Sequence, residues 1–149
     1  MAPLAACEAI RERLSRDESL RGLVVALTPS GQPTGETDLL RRFCLAPGPQ
    51  DSPTYPLVLW QEVGAGAAER VRCGKIDSSM HRIRVWAVAP GRDLAALEPL
   101  ADRIGELLGG FSPAGMFFAL DAPWQQLALG ASGEFCELGW EVLATVDAT

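Results

Sequence analysis

The sequence predicts an α+β domain: a mostly antiparallel sheet of about four to five strands with two main helices packed on one face. Three observations predict it. Apolar residues near the N-terminus recur at steps of three and four, later segments alternate with period two, and one of these runs straight into a second helical pattern. The alternating runs are rich in Val, Leu, Ile and Trp and are bounded by Gly, Pro, Ser and Asp, as hairpins require. At 149 residues the chain has the length of one ordinary domain. Residues 1–149 are therefore expected to form a single unit, with a long loop or arm at about 28–54.

Leu4, Cys7, Ile10 and Leu14 mark the apolar stripe of a first helix of about three turns. Pro3 stands near its first position, where a missing N–H costs nothing. Leu20, Leu23, Val24 and Val25 continue the apolar signal after "SRDES" and read as a short second turn or the start of a strand. The composition then changes. "TPSGQPTGETDLLRRFCLAPGPQDSPT", Thr28 to Thr54, is rich in Pro, Gly, Ser and Thr, with one apolar island from Leu39 to Leu45. A loop of this length in a compact domain is functional, disordered, or ordered by a partner; a loose insertion and a partner-ordered arm both fit.

"YPLVLWQEV", Tyr55 to Val63, reads as a strand, and the glycines of "GAGAAERVRCGKIDSS" read as the turn and one arm of a hairpin. Met80 to Val88 is the next strand, ending at "APGRD". Asp93 is placed to cap a helix running to Leu108, with Leu94, Leu97, Ala101, Ile104, Leu107 and Leu108 on one side. Pro99 bends that helix or marks a restart at Glu98, and Gly109 and Gly110 stop it. "MFFAL" and "PWQQLALG" are weaker strand candidates, and "FCELGWEVLATV" after the "GASGE" turn is a strong one.

The alternation assigns faces. Ile83, Val85 and Ala87 alternate with Arg82, Arg84 and Trp86; Leu57, Leu59 and Val63 with Val58, Trp60 and Glu62; Cys136, Leu138, Trp140 and Val142 with Glu137, Gly139 and Glu141. One face is then apolar and covered by the helices, while the other carries Arg82, Arg84, Glu62, Glu137 and Glu141. Trp60 and Trp86 fall on the charged face. Trp and Arg concentrate at the centres of protein interfaces; a second buried layer beneath the long loop explains the tryptophans equally well.

Composition and motifs narrow the chemistry. With 48% hydrophobic and 21% charged residues the chain is globular in character. No apolar run is long enough to span a bilayer, and the N-terminus lacks the basic patch and apolar block of a secretory signal, so an intracellular protein is expected. The net charge of −6 opposes sequence-independent duplex binding, which draws its affinity from counterion release. It does suit a wall past which DNA must slide without sticking. Cys7, Cys44, Cys73 and Cys136 form no CxxC pair, and His81 is the one histidine. Free thiols and no metal or cofactor are expected.

"VLWQEVGAGAAERV" places Gly64 and Gly66 after a strand, but Glu69 stands where a dinucleotide loop needs its third glycine and no helix follows at once. Hairpin glycine is the better reading. A thiol–histidine pair of His81 with Cys73 would need a third orienting group, and His81 sits among alternating strand residues. Asp93, Asp102 and Glu106 belong to the polar side of a helix. Arg82, Arg84 and Trp86 could form a nucleic-acid platform, but Glu137 and Glu141 share their face, which favours a neutralised sheet surface.

The "YP" opening a strand, the later strand ending "RVWAVAPG" and the immediate helix "DLAALEPLADRIGELLGG" give an order that resembles the tail terminator (tail-completion) proteins of long-tailed bacteriophages. The resemblance runs from Tyr55 onward, and the first helix fits it; the 28–54 insertion is longer than the family pattern. It implies a structural virion protein and no enzyme: a homohexameric ring, assembled in the host cytoplasm, that caps the tail tube, ends its polymerisation and is docked by the head-tail connector or stopper protein while DNA runs through it. It implies contacts with neighbouring rings through the Val63–Ser79 hairpin (Arg70, Arg72, Lys75) and the 28–54 segment (Leu39, Arg41, Arg42, Phe43). Subunit contacts would use Trp60, Arg82, Arg84 and Trp86. The alternative expectations are a head-tail connector or neck adaptor, or a small cytosolic protein-binding module.

Overall fold

The computed structural model describes residues 2–32, 34–49, 53–63, 68–72, 74–130 and 133–147; over 2–4, 68–72, 75–77 and 130 it describes the backbone alone. Helix α1 (Ala2–Ser15) buries Ile10 and Leu14 of the predicted stripe together with Ala6, while Cys7 is half-buried and the Leu4 side chain lies outside the described residues. The apolar group after it is a second helix, α2 (Glu18–Ala26), and not the start of a strand. The local reason is Asp17, whose carboxylate accepts the Leu20 N–H at 2.8 Å and caps the helix. Leu20 and Val24 then turn inward one turn apart.

The arm is built as well. It holds α3 (Glu36–Arg41) and a three-residue strand, β1 (Phe43–Leu45), which pairs in parallel with β2 (Leu57–Glu62). Strand β3 (Ala68–Arg72) forms the predicted hairpin with β4 (Lys75–Pro90), which is longer at both ends than its alternation indicates. The positions of Gly64, Gly66 and Cys73 lie outside the described residues. A 3-10 turn (Leu94–Leu97) precedes α4 (Glu98–Leu108), so Pro99 marks a restart and occupies the first helical turn. Asp93 makes no side-chain cap bond, contrary to expectation. The two weak strand candidates are one strand, β5 (Met116–Gly130), with a bulge between Leu120 and Ala122 that admits Asp121. Strand β6 (Gly133–Asp147) closes the chain.

The sheet order is β1-β2-β4-β6-β5, with β3 paired to the outer part of β4. Among the described residues every pairing except β1–β2 is antiparallel. The helices lie on one face. Their core takes Ile10, Leu14 and Val24 from the first two helices, Leu100, Ile104 and Leu108 from α4, and Val58, Ile83, Val85 and Val142 from the sheet. Gly105 sets the approach of α4: a Cβ there would stand 2.8 Å from Trp140 Nε1. That indole instead donates to the Ala101 carbonyl at 2.8 Å.

Register corrects one face assignment. Trp60 pairs with Val85 and Glu62 with Ile83, so both lie on the helix-covered side. Leu57 and Leu59, opposite Val88 and Trp86, lie on the open side. From Leu57 to Trp60 both sets on β2 are apolar, so alternation alone could not orient this strand. The remaining assignments on β4 and β6 hold, with Arg82, Arg84, Trp86, Glu137, Gly139 and Glu141 on the open face.

Candidate subunit interface

The open face has two parts. At one end Leu57, Leu59, Trp86 and Val88 form a second, smaller apolar cluster, joined by Cys44, Ala46 and Tyr55 from the arm and by Trp124 and Phe135. The arm is held in place by Arg42, which is 1% exposed. Its guanidinium donates through Nε to Asp38 at 3.1 Å and through Nη1 to the Thr28 hydroxyl. An arginine at this depth is stable only with such partners.

The other part is polar. Arg84 lies 3.6 Å above the Trp124 ring centroid and donates to Glu141 at 2.9 Å. Arg82 pairs with Asp121 in the bulge and lies 3.6 Å from Glu141. Trp86 and Trp124 flank Gly139 on the neighbouring strands, where a Cβ would stand 2.1 Å from the Val85 carbonyl oxygen. Neither indole N–H reaches an acceptor at full hydrogen-bond geometry. Burial pushes the Glu137 carboxyl above the usual range, and Trp124, Arg84 and Trp86 beside it offset this in part.

Each expected contact residue can now be placed. Trp60 is 2% exposed in the main core, and Leu39, Phe43 and Arg42 are buried as well. These four side chains pack inside the domain. Trp86, 7% exposed, sits in the second layer beneath the arm, one of the two uses its sequence allowed. Arg82 and Arg84 are engaged by carboxylates on their own face. Arg41 is exposed. Arg70, Arg72 and Lys75 lie on the β3–β4 hairpin, with side chains outside the description.

His81 is 3% exposed. Its ring bridges the Ser79 hydroxyl at Nε2 (2.9 Å) and Glu62 at Nδ1 (3.2 Å). A neutral ring that accepts from Ser79 and donates to Glu62 satisfies all three groups. The bridge ties the end of β2 to β4. Cys7, Cys44 and Cys136 are free thiols whose burial pushes them up from the usual thiol range, opposite to an activated nucleophile. Among the described residues no group of three His, Cys, Asp or Glu could hold a metal, and no helix is long and apolar enough to cross a membrane.

Apart from Met80 on β4, the exposed large apolar side chains that the sequence reading missed gather at two opposite edges. Val25, Leu27, Leu40 and Leu45 stand on α2, α3 and β1; Phe117, Leu127 and Leu129 stand on β5, the far edge of the sheet. The available signal was charge. From Met116 to Gly130 the sole charged residue is Asp121, and it is paired with Arg82. Soluble domains ordinarily guard a long edge strand with charges.

No protein-family model matches the chain, and no curated protein matches it. A solved structure does: a chain described under "Virion of native gene transfer agent (GTA) particle" aligns with 93% of this chain and 92% of its own length, at a TM-score of 0.57 and 15% identity. The fold is shared with a chain of that virion. At this identity the likeness establishes architecture, here over essentially the whole of both chains; the α+β class expected from sequence is seen in the chain's own elements.

Proposed function

We propose that the chain is a structural subunit of a phage-like virion, forming a ring that caps the completed tail tube, ends its polymerisation and meets the head-tail connector while DNA passes through. The observation that carries this reading is the end-to-end fold likeness to a chain of a gene transfer agent virion. The two unlike apolar edges support it. Different patches on opposite sides of one subunit join head to tail, and such contacts close into rings when the rotation closes. The net charge of −6 suits passage of DNA without capture.

Deleting the gene from the particle that encodes it tests the reading. Electron microscopy is expected to show tail tubes overrunning their normal length and no heads attached. Tubes of normal length without heads would replace the cap with a neck adaptor. Intact, filled, tailed particles would overturn the proposal.

A further inference from the structure

We infer that the C-terminal half of β5 of one copy seats in an apolar groove on the opposite flank of the next copy, an inference that rests on the ring reading above. The helix layer stops short of this half-strand. Pro123, Gln125, Leu127 and Leu129 share the helix side, opposite Trp140, Leu138, Cys136 and Glu134 in register, yet all four are exposed. Leu127 is 48% and Leu129 83% exposed. Among the described residues strand β5 also pairs on one side alone. Apolar side chains and unpaired backbone therefore coincide on one uncharged edge.

The groove lies at the other flank. Leu27 at the end of α2, Tyr55 and Pro56 before β2, Pro90 at the end of β4, and Ala96 and Leu97 of the 3-10 turn enclose about 260 Å³ with no charged group in the lining. A buried leucine truncation opens roughly 150 Å³, so the groove has room for one or two leucine side chains.

Level and area identify the occupant as a second copy. Ala89 pairs with Cys136, and Cys136 with Leu127; Pro90 pairs with Phe135, and Phe135 with Ala128. Groove and half-strand thus stand at the same height along the strands, with β6 between them. Copies laid edge to edge bring one to the other without sliding along the strands. The edge alone is too small: fifteen residues at about 3.3 Å each and a thickness of ~10 Å give roughly 500 Å², against ~800 Å² per partner in a stable interface. Seating the leucines in the groove adds area where the edge falls short.

The test mixes two variants, Leu127→Asp/Leu129→Asp and Ala96→Asp, each altered at exposed positions and checked for an unchanged melting curve. By light scattering the parent assembles and each variant alone runs as a monomer. An equimolar mixture forms dimers and nothing larger, because one junction remains intact. Variants that assemble like the parent, or a mixture that stays monomeric beside an assembling parent, overturn the seating and leave the ring standing. A monomeric parent overturns both. Leu129→Cys/Ala96→Cys in one chain, which keeps the rest of both surfaces, is expected to give a ladder of disulfide-linked multimers absent from either single variant; an assembled protein without the ladder also overturns the seating.

Discussion

The helix-covered face and the open face of the sheet come from the same strands, yet they are stabilised differently. The covered face is continuous: apolar residues from α1, α2, α3, α4 and the 3-10 turn meet apolar residues from β1, β2, β4, β5 and β6. The open face is divided between a small apolar cluster roofed by the arm and a set of arginine–carboxylate pairs around Trp124. The difference separates two uses of a tryptophan. Trp60 fills the main core, whereas Trp86 is buried in the smaller cluster that the arm joins.

The substitution that disturbs the open face most is Gly139→Ala. Its Cβ would strike the Val85 carbonyl and Trp86 Cα, so β4 and β6 must part. A loss of about 4 kcal/mol or more is expected, read from urea unfolding; a loss under about 1 kcal/mol would mean that the strands are not so close. A matched pair of truncations compares the two faces directly. Leu100→Ala in the continuous core should cost about 3–4 kcal/mol, and Leu57→Ala beneath the arm about 2 kcal/mol, because the arm can settle into the space. Equal losses would erase the distinction. Arg42→Met should cost about 2 kcal/mol, less than a fully enclosed pair, because Asp38 reaches solvent. It should also speed proteolytic cleavage within residues 46–56, and unchanged cleavage would show that the arm is held by other contacts.

The smallest effects lie in pH dependence, where two carboxylates differ in sign. The Arg103 guanidinium holds the Asp17 carboxyl below the usual range, helped by the Leu20 N–H against the opposing cost of burial. Its stabilisation is therefore present above the ordinary aspartate value, about 3.9, and disappears as the pH falls through the lower folded value. Asp17→Ala should cost about 1 kcal/mol at neutral pH from the lost cap, with the difference shrinking in acid. Glu137 is raised by burial, so its contribution is greatest below the ordinary glutamate value, about 4.3, and is lost as the pH rises through the folded value. Against Glu137→Gln, the parent should lose ground between acid and neutral pH; parallel stability curves would contradict this.

Much of the fold was legible because period and punctuation agreed with burial. The α1 stripe, the break at Pro99 and the faces of β4 and β6 each rest on a local rule. Strand β2 defeated the rule because Leu57, Val58, Leu59 and Trp60 are all apolar, and only pairing to β4 orients them. The arm defeated it because its order is long-range: Arg42 must find Thr28, and Phe43 must find Val58. Trp60, Trp86, Phe43 and Arg42, chosen by residue type, lie inside the domain, since Trp, Phe and Arg also make good interior anchors. The β5 edge was visible as a run with one charged residue, but its meaning required knowing that among the described residues no strand lies beyond it.

The most direct measurement of the central claim is the mass of the purified chain in concentrated solution by light scattering. A closed ring, six times the subunit mass, is the expected result. A mass that remains that of one subunit, at concentrations where virion rings assemble, would contradict the account.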